Sequence, residues 1–204
     1  MDFFSRRQNK LDILILGGTQ FVGKHLVDAF SNTNHNITVF NRGNNNYHKD
    51  VEYLYGDRIH RNFDSLKDKK WDIVIDIPYF ETDVVRDTLD FLYDKTNLYI
   101  FISTISVYDV GVHPDSEYDS YCTHKLNSER LFQNKESKTL ILRPGVLCGE
   151  GDNTDRFIYD GDKGIFWKHS HAKVEDYIPI EDFAEFIVKM IDENRRGVYE
   201  YVAS

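Results

Sequence analysis

The sequence predicts an α/β protein: a doubly wound parallel sheet followed by a small, loop-rich C-terminal cap. Three observations predict it. Short aliphatic and β-branched runs alternate with helix-period segments through the first two thirds of the chain; the first run stops at a glycine pair that leads straight into a helix; and 204 residues with 41% hydrophobic side chains make one domain with a sizeable core. A run of strands each followed by a helix calls for parallel pairing, with helices on both faces of the sheet.

The elements follow in order. Residues 11–16 form an apolar run that breaks at Gly17-Gly18, and residues 21–30 continue as a helix. Further strands are expected at 37–40, 51–55, 71–77, 98–103 and 139–142. Between them, 83–93 sets Val85, Leu89 and Leu92 at helical spacing, and 118–132 carries Tyr121, Lys125 and Leu126 without a proline. After Arg143-Pro144-Gly145 the texture changes: 149–164 is rich in Gly, Asp and Asn, periodicity disappears, and a loop-rich cap is expected. Regularity returns in a strand at 174–178, a helix at 180–192 and a last strand at 198–202.

Charge and cysteine usage narrow the function classes. The 25 Lys and Arg against 34 Asp and Glu give a net charge of −9, which removes the broad cationic footprint of a nucleic-acid or anionic-membrane binder. Cys122 and Cys148 form no C-x-x-C pair and read as reduced thiols, and the first apolar run is far too short to span a bilayer. In Phe3-Phe4-Ser5-Arg6-Arg7 the charges follow the apolar pair, unlike a secretory signal. A soluble, cytoplasmic protein is expected, with a small-molecule substrate, no nucleic-acid or membrane partner, and a monomeric or homodimeric state.

A strand ending in Gly17-Gly18-Thr19-Gln20-Phe21-Val22-Gly23 makes a turn tight enough for backbone N–H groups to approach a pyrophosphate, with the positive end of the next helix aimed there. A plain β-α turn is the alternative. The loop resembles the G-G-T-x-F-x-G pattern of the extended and atypical short-chain dehydrogenase/reductases, the NAD-dependent epimerase/dehydratase group, and the resemblance implies a Rossmann-like fold. Gln20 departs from it, standing where the common form has its middle glycine. The second strand ends Phe40-Asn41-Arg42-Gly43, without the acid that an NAD-selective site presents to the adenosine ribose. Arg42 offers a planar cation for a 2′-phosphate or for adenine, so NADP is favoured over NAD; an ordinary turn is again the alternative. By resemblance, Gly56-Asp57-Arg58 is the adenine-side segment, with Asp57 on the amino group. The expected cofactor site therefore comprises residues 17–23, Asn41, Arg42, Asp57, Arg58, Ile77, Lys125, Pro144, Gly145 and Val146.

Tyr121 and Lys125 stand four apart on a helix, which puts phenol and ammonium on one face. A phenol near pKa ~10 handles protons poorly at neutral pH, and a nearby ammonium would lower that value. In isolation the pair reads as a surface coincidence. Upstream, Phe101-Ile102-Ser103-Thr104-Ile105-Ser106-Val107-Tyr108 runs a strand into hydroxyl residues at its carboxyl end, where open α/β sheets bind ligands. It resembles the superfamily's S-S-x-x-V-Y-G segment. Thr104 then matches the catalytic Ser/Thr, Ser103 and Ser106 are helpers or bystanders, and Asp109 replaces a glycine.

Three later segments extend the resemblance. Arg143-Pro144-Gly145-Val146-Leu147-Cys148-Gly149 is similar to the stretch that passes the nicotinamide. Asp152-Asn153-Thr154-Asp155-Arg156-Phe157 is similar to a segment of the atypical branch, and Ile178-Pro179-Ile180-Glu181-Asp182-Phe183-Ala184 to a helix entry of the family. The implied division is a dinucleotide-binding domain at 1–147 and a small cap with returning strand and helix at 148–204, packed as one domain; relatives continue beyond this point, so the substrate lobe is expected to be shortened. No metal is expected. His169 and His171 would share a strand face but lack a third ligand, and Cys122, Phe166 and Trp167 read as packing residues. The resemblance implies an NAD(P)-dependent oxidoreductase, epimerase or dehydratase working through Thr104, Tyr121 and Lys125, on a small hydroxyl/carbonyl compound or a sugar nucleotide. A non-catalytic NAD(P)-binding sensor or interaction protein is the alternative reading, and RNA binding is a third, opposed by the charge.

Overall fold

The structure, a computed structural model, describes residues 10–43, 46, 48–78, 81–152, 154–160, 163–168 and 173–203. In chain order its strands are β1 (Asp12–Leu16), β2 (Asn36–Asn41), β3 (Glu52–Tyr55), β4 (Trp71–Asp76), β5 (Thr96–Ile102), β6 (Thr139–Pro144), β7 (Val146–Cys148), β8 (Phe157–Asp160), β9 (Gly164–Trp167), β10 (Tyr177–Pro179) and β11 (Gly197–Tyr201). Its helices are α1 (Phe21–Ser31), α2 (Thr82–Leu92), α3 (Glu117–Arg130) and α4 (Ile180–Asp192).

One seven-stranded sheet, in the order β11-β6-β5-β4-β1-β2-β3, carries the fold, and every pairing in it is parallel. Strand periodicity sorts the apolar residues between its faces. On one face Ile13, Ile15, Val39, Ile75, Ile100 and Leu142 pack with Leu26, Val27 and Phe30 of α1 and Phe183, Ile187 and Ile191 of α4. On the other, Leu14, Leu16, Val74, Tyr99, Phe101 and Ile141 pack with Val85, Leu89 and Leu92 of α2 and with Phe132, just after α3. Because both faces are covered, the central strands read as continuous apolar runs rather than alternating ones. Each fully buried Leu, Ile or Phe contributes about 1.5–3 kcal/mol relative to an exposed one.

This topology fixes where a site can lie. β1 sits between β2 and β4, with the connection through α1 on one face and that through α2 on the other. The two connections diverge at the carboxyl ends of β1 and β4 and leave a crevice there.

The cap holds more regular structure than its composition predicts. β7 pairs in parallel with β10, Val146 opposite Tyr177, and β8 and β9 form an antiparallel hairpin within and beyond the stretch expected to be loop. Cys148, Ile165 and Val174 close a small third core, in which Val174 N donates to Ile165 O at 2.8 Å. Strands of three or four residues whose partners lie far along the chain leave no local period to read; the strand expected at 174–178 forms as Tyr177–Pro179 for the same reason. Among the described residues no helix is long and apolar enough to cross a membrane. His169 and His171 lie outside the described residues.

Candidate cofactor and active site

The glycine loop leaves β1 and enters α1 through a turn that two glycines make possible. Gly17 adopts φ +90°, a left-handed backbone that side-chain-bearing residues rarely take. At Gly23 a Cβ would stand 2.2 Å from the Gly17 carbonyl oxygen, so only glycine lets the first turn of α1 close against the loop. Gly18 is restricted by a different cause from the backbone strain its neighbours suggest. Its φ is unexceptional, and a Cβ there would meet the Val39 methyls at 2.8 and 3.0 Å. Gln20, at the N-cap, has its side chain exposed and makes no capping hydrogen bond, and no acid occupies the first turn. Phe21 opens the helix at φ +32°, a strained conformation of the sort that collects at functional sites. Phe21 and Val22 of the first turn line the crevice with no acidic residue in that turn, while Gly23 N and Lys24 N donate to Gln20 O at 2.9 and 3.3 Å.

Beside the loop lies a cavity of about 440 Å³, lined by Gly17, Thr19, Gln20, Phe21, Val22, Asn41, Arg42, Asp57, Arg58, Ile77 and several apolar neighbours. Ten of the residues expected to hold a dinucleotide therefore meet in one space, whereas Gly18, Gly23, Lys125 and Pro144 to Val146 do not line it. Arg42 is exposed at its edge. Asn41 Oδ1 accepts from Gly43 N at 2.7 Å, and its buried Nδ2 has no partner among the described residues, a donor open to a ligand. Asp57 is more occupied than expected. Its Oδ1 accepts from Ile59 N at 2.8 Å and its Oδ2 lies 3.0 Å from His60 Nδ1, and the His60 contact holds its carboxyl below the usual range.

Arg58 turns inward. Its Nε donates to Thr88 Oγ1 at 3.1 Å and its Nη1 to Ile77 O at 3.3 Å. Nη2 lies 2.8 Å from Asp76 Oδ1, close enough for an ion pair but off the N–H axis, so neither atom gains an aligned hydrogen bond. Asp76 is fully buried, and its Oδ2 accepts from Tyr99 at 2.7 Å. Sequence reasoning missed Asp76, although its signal was present: a carboxylate ending an otherwise apolar central strand demands a buried partner.

At the next strand end, Thr104, Tyr121 and Lys125 converge. Thr104 follows β5, is buried, and accepts from Ser106 N at 3.2 Å; its hydroxyl lies near enough to the Tyr121 phenol to favour the ionised form. Lys125, also buried, donates from Nζ to Ile102 O at 3.1 Å, with Nζ 5.6 Å from the Tyr121 ring centroid. Ser116 caps α3 by accepting from Asp119 N at 3.0 Å, which starts the helix one turn before Tyr121. Burial drives both titrations. It lowers Lys125 to about 8 against the raising influence of Asp76 and Glu129. It raises Tyr121, a shift that the nearby Thr104 hydroxyl and the Arg156 charge only partly offset. The expected lowering of the phenol by Lys125 is therefore reversed: the ammonium is spent on a backbone carbonyl, and desolvation wins.

The cap reaches back to the glycine loop and α1 through His25 and Gly151, which the sequence did not single out. His25 of α1, 7% exposed, bonds Glu150 O through Nε2 at 2.9 Å, with Nδ1 3.5 Å from Glu181 of α4. Gly151, at φ +84°, lies so that a Cβ would be 3.7 Å from Phe21 N. Gly145 N donates to Tyr201 O at 2.8 Å where β6 passes into β7, and Arg156 holds the cap through Asp152 Oδ2 at 3.1 Å and Leu147 O.

A seven-stranded parallel sheet with a glycine loop at its switch point and hydroxyl, phenol and amine groups at the next strand end defines a Rossmann-like protein of the short-chain dehydrogenase/reductase type. The chain belongs to the NAD-dependent epimerase/dehydratase family, whose model matches residues 13–202. It is similar to a short-chain dehydrogenase/reductase of Veillonella parvula in complex with NADP, at 17% identity and TM-score 0.66 over 95% of this chain and 94% of that one. It is also similar to a dTDP-glucose 4,6-dehydratase of Bacillus anthracis in complex with NAD, at 16% identity and TM-score 0.68 over 94% and 75% of the two chains. In sequence it is 30% identical over 160 residues to the chloroplast stem-loop binding protein of 41 kDa b of Arabidopsis thaliana. That match takes in 67% of this chain and 42% of the relative, so the chain spans under half of that relative's length.

Proposed function

We propose that the protein is an NAD(P)-dependent oxidoreductase, epimerase or dehydratase that favours NADP and acts on a small hydroxyl/carbonyl compound or a sugar nucleotide. The observation that carries this reading is the pairing of the Asn41–Arg42 cavity, with an amide donor that has no partner among the described residues, with the buried Thr104, Tyr121 and Lys125 cluster beyond β5, where Lys125 Nζ donates to Ile102 O at 3.1 Å. The residues present fit a dinucleotide. The N–H groups of α1 and the loop 17–23 would hold the pyrophosphate, Asn41 and Arg42 the adenosine ribose with its 2′-phosphate, Ile77 and the Asp57 turn the adenine, and Lys125 with Pro144 to Val146 the nicotinamide end.

The bound nicotinamide supplies hydride transfer. Thr104 holds the substrate oxygen, and Tyr121 moves a proton at that oxygen from its hydroxyl. A phenol raised by burial favours the protonated, donating form, which suits reduction of a carbonyl. Lys125 supplies a positive charge beside the ribose and the phenol. The two cysteines are free and buried, which suits a reducing compartment, and the proposed location is cytoplasmic. We further propose a monomer or homodimer without nucleic-acid or membrane partner.

Calorimetric titration with NAD, NADH, NADP and NADPH tests the reading; no binding of any of them at millimolar concentration overturns it. A second reading, stem-loop nucleic-acid binding, is favoured by the name of the Arabidopsis relative and opposed by the net charge of −9. A mobility-shift titration with stem-loop RNA separates the two.

A further inference from the structure

Three consecutive residues at the end of β5 grip α3 at positions one helical turn apart. Thr104 lies beside Tyr121, the Ile102 carbonyl accepts from Lys125, and Ser103 Oγ donates to Glu129 Oε1 at 2.5 Å. The proposed chemistry uses the first two grips and leaves the third unexplained. It is also the best built. Arg143, on β6, meets the Glu129 carboxylate with both arms of its fork, Nε to Oε1 at 3.0 Å and Nη2 to Oε2 at 2.6 Å, and the Glu129 side chain is 7% exposed. Arg143 is held in turn by Tyr108, whose hydroxyl accepts from Nη1 at 2.7 Å, and by Glu200 of β11 at 3.6 Å. A bidentate, buried pair of this geometry has little freedom to move.

We infer that Glu129 is a positioning residue for Lys125, fixing α3 in register on the strand end so that the amine is presented at the buried site. The inference rests on the proposed role of Lys125 toward the cofactor. The charged and titratable groups around the lysine come from four elements: Asp76 of β4, with Tyr99 of β5 bonded to it; Arg58 after β3; and Tyr121 and Glu129 of α3 itself. Asp76 is compensated by Arg58 from the sheet side, and Glu129 by Arg143 from β6. Burial lowers the lysine, and the two carboxylates oppose that lowering. Of the two, only Glu129 also fixes the helix that carries the lysine and the phenol.

The test is a pH titration of Lys125 in protein labelled with ¹³C-lysine, read by NMR of the side-chain Cε in wild type, Glu129→Gln and Arg143→Gln, with circular dichroism to establish that each is folded. Glu129→Gln should move the Lys125 inflection down by about one pH unit, and Arg143→Gln, which leaves the carboxylate uncompensated, should move it up. An unchanged inflection, or movement of both variants in one direction, overturns the inference, and either variant decides it if the other does not fold. NADPH affinity is measured across the same pH range. If wild-type affinity does not fall above the inflection, the cofactor role of Lys125 is lost, while the NMR result still judges Glu129 by itself.

Discussion

Lys125 Nζ donates to the Ile102 carbonyl at 3.1 Å, so the amine of the Y-x-x-x-K pair is anchored to the strand that also presents Thr104. The anchor sets the height of α3 above the sheet, and with it the place of Tyr121.

Tyr121→Phe removes one hydroxyl from a residue already packed in place. It should leave the fold and cofactor affinity nearly unchanged and lower turnover by ~10²–10⁴-fold, the usual effect of losing an acid–base group. Steady-state kinetics on the first substrate found, set beside cofactor titration, checks this; full activity would remove Tyr121 from the chemistry.

Gly23→Ala adds a methyl where a Cβ stands 2.2 Å from a backbone oxygen that has no side-chain freedom to yield. We expect a loss of stability of about 1–3 kcal/mol and of at least tenfold in cofactor affinity, because α1 must move away from the loop. Denaturant melts and calorimetry measure the two effects separately. Gln20→Ala, by contrast, removes an exposed side chain without a capping bond and should change stability by less than about 0.5 kcal/mol.

Arg42→Ala should weaken NADPH more than NADH, since the guanidinium lies at the edge of the cavity in place of a carboxylate. An initial preference for NADH, or equal losses for the two, would sink the proposed selectivity.

Lys125→Met tests the burial of the ammonium. The folded-state pKa of about 8 lies below the 10.5 of an ordinary lysine, so the unfolded chain binds the proton more tightly. The penalty is therefore present in full below pH 8 and is relieved as pH rises from about 8 towards 10.5. At pH 7 the variant should be more stable than wild type, by up to about 3 kcal/mol, and the gap should close over that window. Thermal melts of both proteins from pH 6 to about 10 decide it; a gap that widens with pH contradicts the assignment.

What the sequence by itself determined about this protein is whatever short-range pattern encodes. The central strands, the start of α1 and the whole of α4 are legible because an apolar run, a glycine pair or a 3.6-residue period is a constraint on neighbours. Gly17 and Gly23 were legible for the same reason, whereas Thr104, Tyr121 and Lys125 were singled out by resemblance to segments of the family, their spacing alone reading as coincidence. Only the tertiary structure decided which distant groups meet. It brought Val146 to Tyr177 to make β7 and β10, set Asp76 against Arg58 and Glu129 against Arg143, and put Val39, rather than backbone strain, behind the need for Gly18. It also reversed the expected direction of the Tyr121 shift. The physical reason is common to all of these: burial and charge compensation depend on what surrounds a group in space, and a residue's neighbours along the chain carry almost none of that environment.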